Sequence, residues 1–192
     1  SRFKEVHAMF ATWGNVSLMD FGDKTPRGAV QFNVACDPLS SNFVLMGLDC
    51  PVYLMPTEVT RVKDIGFFNV QALREAIPDN KGTRALCLLY ALWYDAAVRP
   101  RQEKNPDELI FIHDVVAAFS LDTELRNAIY NVVPVKITAA PCLPSKADIA
   151  NWGKVEMKQI KRATKDKPRF AAIGLNPEGA AKYLDALKRI CS

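Results

Sequence analysis

Asp37-Pro38 is the pair that most constrains how this chain can fold. Asp accepts a hydrogen bond from the free amides of a helix's first turn, and Pro suits the first helical position, where no amide partner is needed. The pair therefore predicts a helix opening at Pro38, running to about Met46 and stopping at Gly47. Cys50 to Met55 follows as a short apolar strand ended by Pro56. Upstream, Phe3 to Phe10 alternates loosely as a strand, and Trp13 to Gly28 reads as a Gly- and Asp-containing loop. Strand, loop, helix, strand is the order of an α/β unit.

The rest of the chain continues in that manner. Asn69 to Ile77 and Gly82 to Val98 are predicted helices, the second apolar at helical spacing through Leu86, Leu89, Tyr90, Trp93, Tyr94 and Ala97. That stripe reads as core packing. Pro100 to Glu108 is a charged loop, and Val115 to Leu121 an apolar helix. Val132 to Ala139, Val155 to Ile160 and Arg169 to Ile173 have strand character. Pro177 to Ile190 closes as an amphipathic helix, with Asn176 its expected N-cap. At 192 residues, 49% of them hydrophobic, the chain suits one domain, 1–192, with a core of its own.

Several function classes are disfavoured. No apolar run approaches the ~20 residues that span a bilayer, so no membrane insertion is expected, and the start of the chain has no apolar signal-peptide region. Five scattered cysteines (Cys36, Cys50, Cys87, Cys142, Cys191) without a CxxC pair speak against zinc or a disulfide framework. They favour an intracellular, reducing compartment, the cytoplasm first. Cys36 and Cys87 are expected as small core residues. The net charge of +4 is concentrated in Lys158, Lys161, Arg162, Lys165 and Lys167. With the aromatics mostly elsewhere, that run reads as a solvated strand-and-turn segment and not as a nucleic-acid patch.

His113-Asp114 places a proton donor beside a carboxylate at the junction of a short apolar run and an apolar helix. Such a pair can share one pocket, the carboxylate holding a metal while the imidazole faces a substrate. The plainer alternative is a capping Asp beside a half-buried His. His7, alternating within the first strand, reads as structural.

Three ordered blocks carry a resemblance. Gln31-Phe32-Asn33-Val34-Ala35-Cys36-Asp37-Pro38, then Pro51-Val52-Tyr53-Leu54-Met55-Pro56-Thr57-Glu58-Val59-Thr60, then His113-Asp114 resemble the inosine–uridine nucleoside hydrolase family in sequence and in order. Leu175-Asn176-Pro177-Glu178-Gly179 and its helix resemble the family's ending. The likeness covers most of the chain, loosely between Ile65 and Leu109. It implies an α/β fold with flanking helices around a mostly parallel sheet, a bound calcium ion and hydrolysis of a ribonucleoside to ribose and base, as in purine and pyrimidine salvage. In that chemistry a metal-bound water attacks C1′ while an oxocarbenium-like charge develops.

The resemblance assigns Asp114 to the calcium site and His113 to protonation of the leaving base. It assigns Asn33 to the ribose, with Gln31 where the family carries a ribose-binding Glu. The family's sugar-binding Gly-Asn has two candidates, Gly14-Asn15 and Gly22-Asp23; spacing to Asn33 favours the second, where Asp23 replaces the Asn, with Asn15 the other candidate. The family's opening Asp-rich loop, which supplies most metal ligands and the catalytic base, has no counterpart before Phe3. The chain is thus expected to resemble a nucleoside hydrolase truncated on its N-terminal side. Alone it should be inactive, with a protein partner or a homo-oligomer covering the truncated side. The alternative is a degenerate, non-catalytic homologue serving as a structural or interaction subunit.

Overall fold

The computed structural model of the chain describes residues 4–10, 19–20, 36–139 and 155–192. They form an α/β structure around a six-stranded mixed sheet of order β1-β3-β6-β4-β5-β2. The strands are β1 (Val6–Phe10), β2 (Met19–Asp20), β3 (Val52–Pro56), β4 (Tyr130–Ala139), β5 (Glu156–Gln159) and β6 (Arg169–Leu175). β1, β3 and β6 pair in parallel, as do β2 and β5. β4, fed directly by the helix before it with no crossover, runs against both neighbours. The sheet is therefore less uniformly parallel than the sequence suggests. β3 lies between two parallel partners and is buried along nearly all its length, which explains its unbroken apolar run.

Four of the described helices begin where a polar side chain satisfies free amides of the first turn. Asp37 accepts from the Ser40 amide (3.0 Å) to open α1 (Pro38–Asn42), which continues as a π-helical turn over Phe43–Gly47, as the Asp-Pro pair predicts. A short α2 (Thr57–Thr60) follows β3. Asn69 caps α3 (Val70–Ala76). Asn80 and Thr83 form a reciprocal capping box that opens α4 (Lys81–Trp93). A π-helical turn over Tyr94–Val98 carries α4 into α5 (Arg99–Gln102), where a charged loop is expected from the sequence. Then come α6 (His113–Phe119), α7 (Thr123–Ile129), capped by Asp122, and α8 (Gly179–Cys191).

Alternation along the strands divides the core between two faces. Met55, Tyr130 and Ala172 face Leu73, Cys87, Val116, Phe119, Tyr183 and Leu187 of the helices. Val52, Leu54 and Ala171 pack on the other side with Leu45, Leu48, Val135 and Met157. Three expectations need correction. Cys36, just ahead of the Asp37 cap, is exposed, whereas Cys87 is buried. Asn176 does not cap α8: its amide donates to the Asn127 and Tyr130 carbonyls (2.8 and 3.0 Å), joining the end of β6 to the α7–β4 junction. The stripe on α4 is only half core: Leu86, Tyr90 and Tyr94 pack inward, while Leu89 is 65% exposed and Trp93 40%. The basic residues Lys158 to Lys167 are exposed, as a solvated segment requires. Among the described residues no helix is long and apolar enough to cross a membrane.

Two close contacts lock this arrangement. Arg169, the buried first residue of β6, donates to the carbonyls of Leu45 (2.6 Å), Leu48 (2.7 Å), Cys50 (3.1 Å) and its neighbour Pro168 (3.1 Å). These include the carbonyl end of the α1–π segment, which favours a cation. Lys167 adds a bond to Met46 O (2.9 Å). At the other end of β6, a Cβ on Gly179 would sit 2.2 Å from the Ile129 carbonyl oxygen, so only glycine lets α8 start there. Arg169→Met should lower unfolding free energy by at least ~3 kcal/mol, since several buried carbonyls lose their donor. Arg169→Lys should recover little of it, an ammonium being unable to fork across separate acceptors. Urea denaturation of the three proteins checks this; equal midpoints would refute the role given to Arg169.

Candidate functional site

β1 and β3 end side by side, with Phe10 in register with Pro56. In α/β sheets the crevice beyond the carboxyl ends of parallel strands is where ligands bind. The loop after β1 lies outside the described residues, and α2 follows β3. Phe67 pairs with Ile110 in an antiparallel bridge, which brings Phe111 and Ile112 past α2 and starts α6 at His113. Thr60 and His113, 53 residues apart in sequence, thereby meet: Thr60 Oγ1 lies 2.7 Å from His113 Nδ1.

That contact orients the ring. The Thr60 hydroxyl has one proton and two acceptors within reach, His113 Nδ1 at 2.7 Å and the Thr57 carbonyl at 3.4 Å. With its proton on the Thr57 carbonyl the hydroxyl accepts from Nδ1–H, and with its proton toward Nδ1 it donates; either tautomer holds the ring in the same orientation. Nε2 has no partner among the described residues, and the half-buried ring is free to form a hydrogen bond there.

Burial pulls the His113 pKa below the usual imidazole value of 6.5, the Arg61 guanidinium lowers it further, and Asp114 opposes both. Arg61 is held in place by Glu108 (2.9 Å) and lies 5.7 Å from the Phe111 ring centroid; that ring in turn is 5.8 Å from the His113 ring. At neutral pH His113 is an uncharged hydrogen-bond donor. The imidazolium that would form at lower pH is a stronger acid than a free one.

Asp114 is exposed in the first turn of α6, where a carboxylate complements the helix dipole. It is not the N-cap; that position is Ile112, without a side-chain bond. Its charge reaches the Tyr90 hydroxyl, whose pKa is raised by burial first and by Asp114 second. His113, Asp114, Thr60, Arg61 and Tyr90 thus form one corner. Calcium takes 6–8 oxygen ligands. Asp114 by itself does not fit that requirement, and among the described residues no group of three or more His, Cys, Asp or Glu side chains could hold a metal. Asn15, Asp23, Gln31 and Asn33 lie outside the described residues. Thr60 and Arg61 are site residues that sequence reading did not single out, although Thr60 closes the second resembling block.

The second histidine sits in a sealed network. His7 Nδ1 lies 2.7 Å from Ser120 Oγ and Nε2 3.0 Å from Glu5 Oε1. An acid–His–Ser order invites comparison with a nucleophilic triad. Ser120 is fully buried, however, and its hydroxyl donates to the Ala117 carbonyl (2.6 Å), so it cannot reach a substrate. His7 stacks on Tyr53, which stacks on Phe170, both pairs at 4.9 Å. Arg126, missed in the sequence, lies 4.0 Å over Tyr53 and bonds Ser120 O (3.1 Å). The bond from His7, with Arg126 helping, holds the Glu5 carboxyl below its usual range. This is a structural bolt between β1 and the α6–α7 turn, as the reading of His7 expects.

No protein-family model matches the chain, and a search of curated proteins finds no significant match.

An NMR titration of the His113 ring should give a pKa below 6.5, and Arg61→Gln should raise it by removing the nearby positive charge. Because the unfolded ring binds a proton more readily than the folded one, the stability associated with neutral His113 is intact above about 6.5 and is lost as pH falls through the folded value. An unchanged His113 pKa in the Arg61→Gln protein would remove Arg61 from the corner.

Proposed function

We propose that this chain is nucleoside-hydrolase-like, and that its His113 corner receives the base of a ribonucleoside. The observation that carries the reading is the Thr60–His113 bond at the carboxyl ends of two parallel strands. It joins the second resembling sequence block to the third and leaves an uncharged, oriented ring whose Nε2 is open and, in the tautomer that carries the proton there, presents a donor. Cleavage of an N-glycosidic bond gives an oxocarbenium-like sugar and pushes electrons onto the departing base. A donor aimed at a ring nitrogen of that base stabilises the charge as it develops. Neutral His113 can offer such a bond, whereas full proton transfer is favoured at the lower pH where the imidazolium forms. Arg61 beside the ring opposes a standing positive charge there and leaves the transferable proton more acidic.

Alone, the chain binds without turning over. The ribose contacts implied by the resemblance fall to Asn33, Gln31 and either Asp23 or Asn15. Replacing the family's Glu by Gln31 removes a charge that would favour the developing cation. Glu108 is taken up by Arg61, which leaves Asp114 as the one carboxylate beside His113 outside an ion pair among the described residues, so no hydrolytic step is routed through calcium. That same scarcity of carboxylates supports the second reading, a non-catalytic homologue acting as a subunit of a larger assembly.

Calorimetry should detect saturable inosine binding, weakened at least tenfold by His113→Ala, and no tight calcium binding. Ribose release from inosine or uridine should stay at background with calcium present. Turnover by the purified chain would overturn the claim of inactivity. Inosine binding indifferent to His113→Ala would overturn the pocket.

A further inference from the structure

From Ala85 to Tyr94 the chain carries no charged side chain. One face of this part of α4 is accounted for, since Leu86, Cys87 and Tyr90 pack into the core. The opposite face consists of Ala85, Leu88, Leu89, Leu92 and Trp93, continued by Ala96 in the π-helical turn, and all six are exposed. Leu88, Leu89, Leu92 and Trp93 are 64%, 65%, 64% and 40% exposed. At about 200 Å² for a whole large apolar side chain, they present on the order of 450 Å² of contiguous apolar surface. A helix with one apolar face needs one packing surface. This helix has two.

We infer that this outer face of α4 is the interface of a twofold homodimer. Three observations select a second copy of the chain as the occupant. First, the face is self-complementary when two such helices lie antiparallel. A twofold axis between Leu89 and Leu92 sets those two residues against each other across the interface. It also sets Leu88 against Trp93, and the small Ala85 against the small Ala96 at either end. An isologous contact demands such a patch. Second, the absence of charge between Ala85 and Tyr94 means that no like charges meet when two copies approach. The charges begin at the margins, with Arg84 bonded to Asp79 and Asp95 to Arg99. Arg101 lies 6.0 Å from the Trp93 ring centroid and extends the polar rim beside the anchor aromatic. Third, two copies of the apolar face plus this rim approach ~1,200 Å², the lower bound of specific, stable interfaces. An aromatic anchor, an apolar centre and a polar rim also match the anatomy of such contacts. The surface is remote in purpose from the His113 corner: Leu86, Tyr90 and Tyr94 serve the core and that corner, while the outer face serves the second copy.

Sedimentation velocity on the 192-residue chain across the micromolar range tests the inference. The protein should sediment as a dimer. Leu89→Glu combined with Leu92→Glu should convert it to a monomer with an unchanged far-UV circular dichroism spectrum, since both side chains are outside the core. Leu89→Gln combined with Leu92→Gln, which adds no charge, should weaken the dimer at least tenfold and guards against a folding defect in the first variant. Leu121→Glu, at another exposed apolar position (62%), should leave the dimer intact. A wild-type chain that is monomeric at every concentration would overturn the proposal. So would a dimer that survives both double substitutions.

Discussion

The guanidinium of Arg169 is the contact on which the sheet's geometry depends. Its acceptors come from a segment about 120 residues earlier, yet it binds three carbonyls there that no β-ladder can reach. Burying an arginine whose hydrogen bonds all go to carbonyls is costly, and burial lowers its pKa although the Asp49 charge opposes the shift. The cost is offset because the π-helical end of α1 leaves carbonyls unsatisfied just where β6 begins. Each side supplies what the other lacks. With that end fixed, β6 pairs in parallel with β3 from Arg169 onward. β3 then delivers Thr57–Thr60 to the crevice where His113 arrives.

The two histidines show how similar local chemistry yields different roles. Each has a hydroxyl 2.7 Å from Nδ1. For His7 the second nitrogen meets Glu5, the ring is stacked, and the hydroxyl partner is fully buried, so every group is committed to structure. For His113 the second nitrogen has no partner among the described residues, and burial, helped by the nearby Arg61, favours the uncharged ring. Availability of Nε2, and not the identity of the residue, separates a structural ring from a chemical one.

Local signals made much of the fold legible. Asp37-Pro38, Asn69 and the apolar run of β3 act within a few residues, so helix starts and strands could be read directly. Asp122 carries the same kind of signal for α7, and that helix was still missed because its Thr-Glu-Leu-Arg stretch lacks a long apolar repeat. Long-range partners were not legible. Nothing near Arg169 announces that its acceptors lie at Leu45 and Leu48, and nothing near Asn176 announces that Asn127 and Tyr130 take its amide away from the helix N-terminus. For the candidate site, His113 and Asp114 stood out by residue type. Thr60 and Arg61 acquire meaning only when α2 and α6 are brought together.

The stripe on α4 shows where periodicity reasoning fails. Apolar residues at i, i+3 and i+4 define a face, but when a helix is apolar nearly all round the pattern no longer says which face is inside. Leu86, Leu89, Tyr90 and Trp93 satisfy one helical template together, yet Leu89 and Trp93 turn to solvent while Leu86 and Tyr90 turn to the core. What decides is the capping box at Asn80-Thr83: it fixes the rotation of the first turn, and the side chain of Asn80 also donates to the Cys191 carbonyl at the end of α8. The helix is thereby clamped at its start with Cys87 inward, and every later residue follows from that angle. A pattern that reads as one oversized core face is resolved, by a single polar clamp, into a face for the core and a face left over.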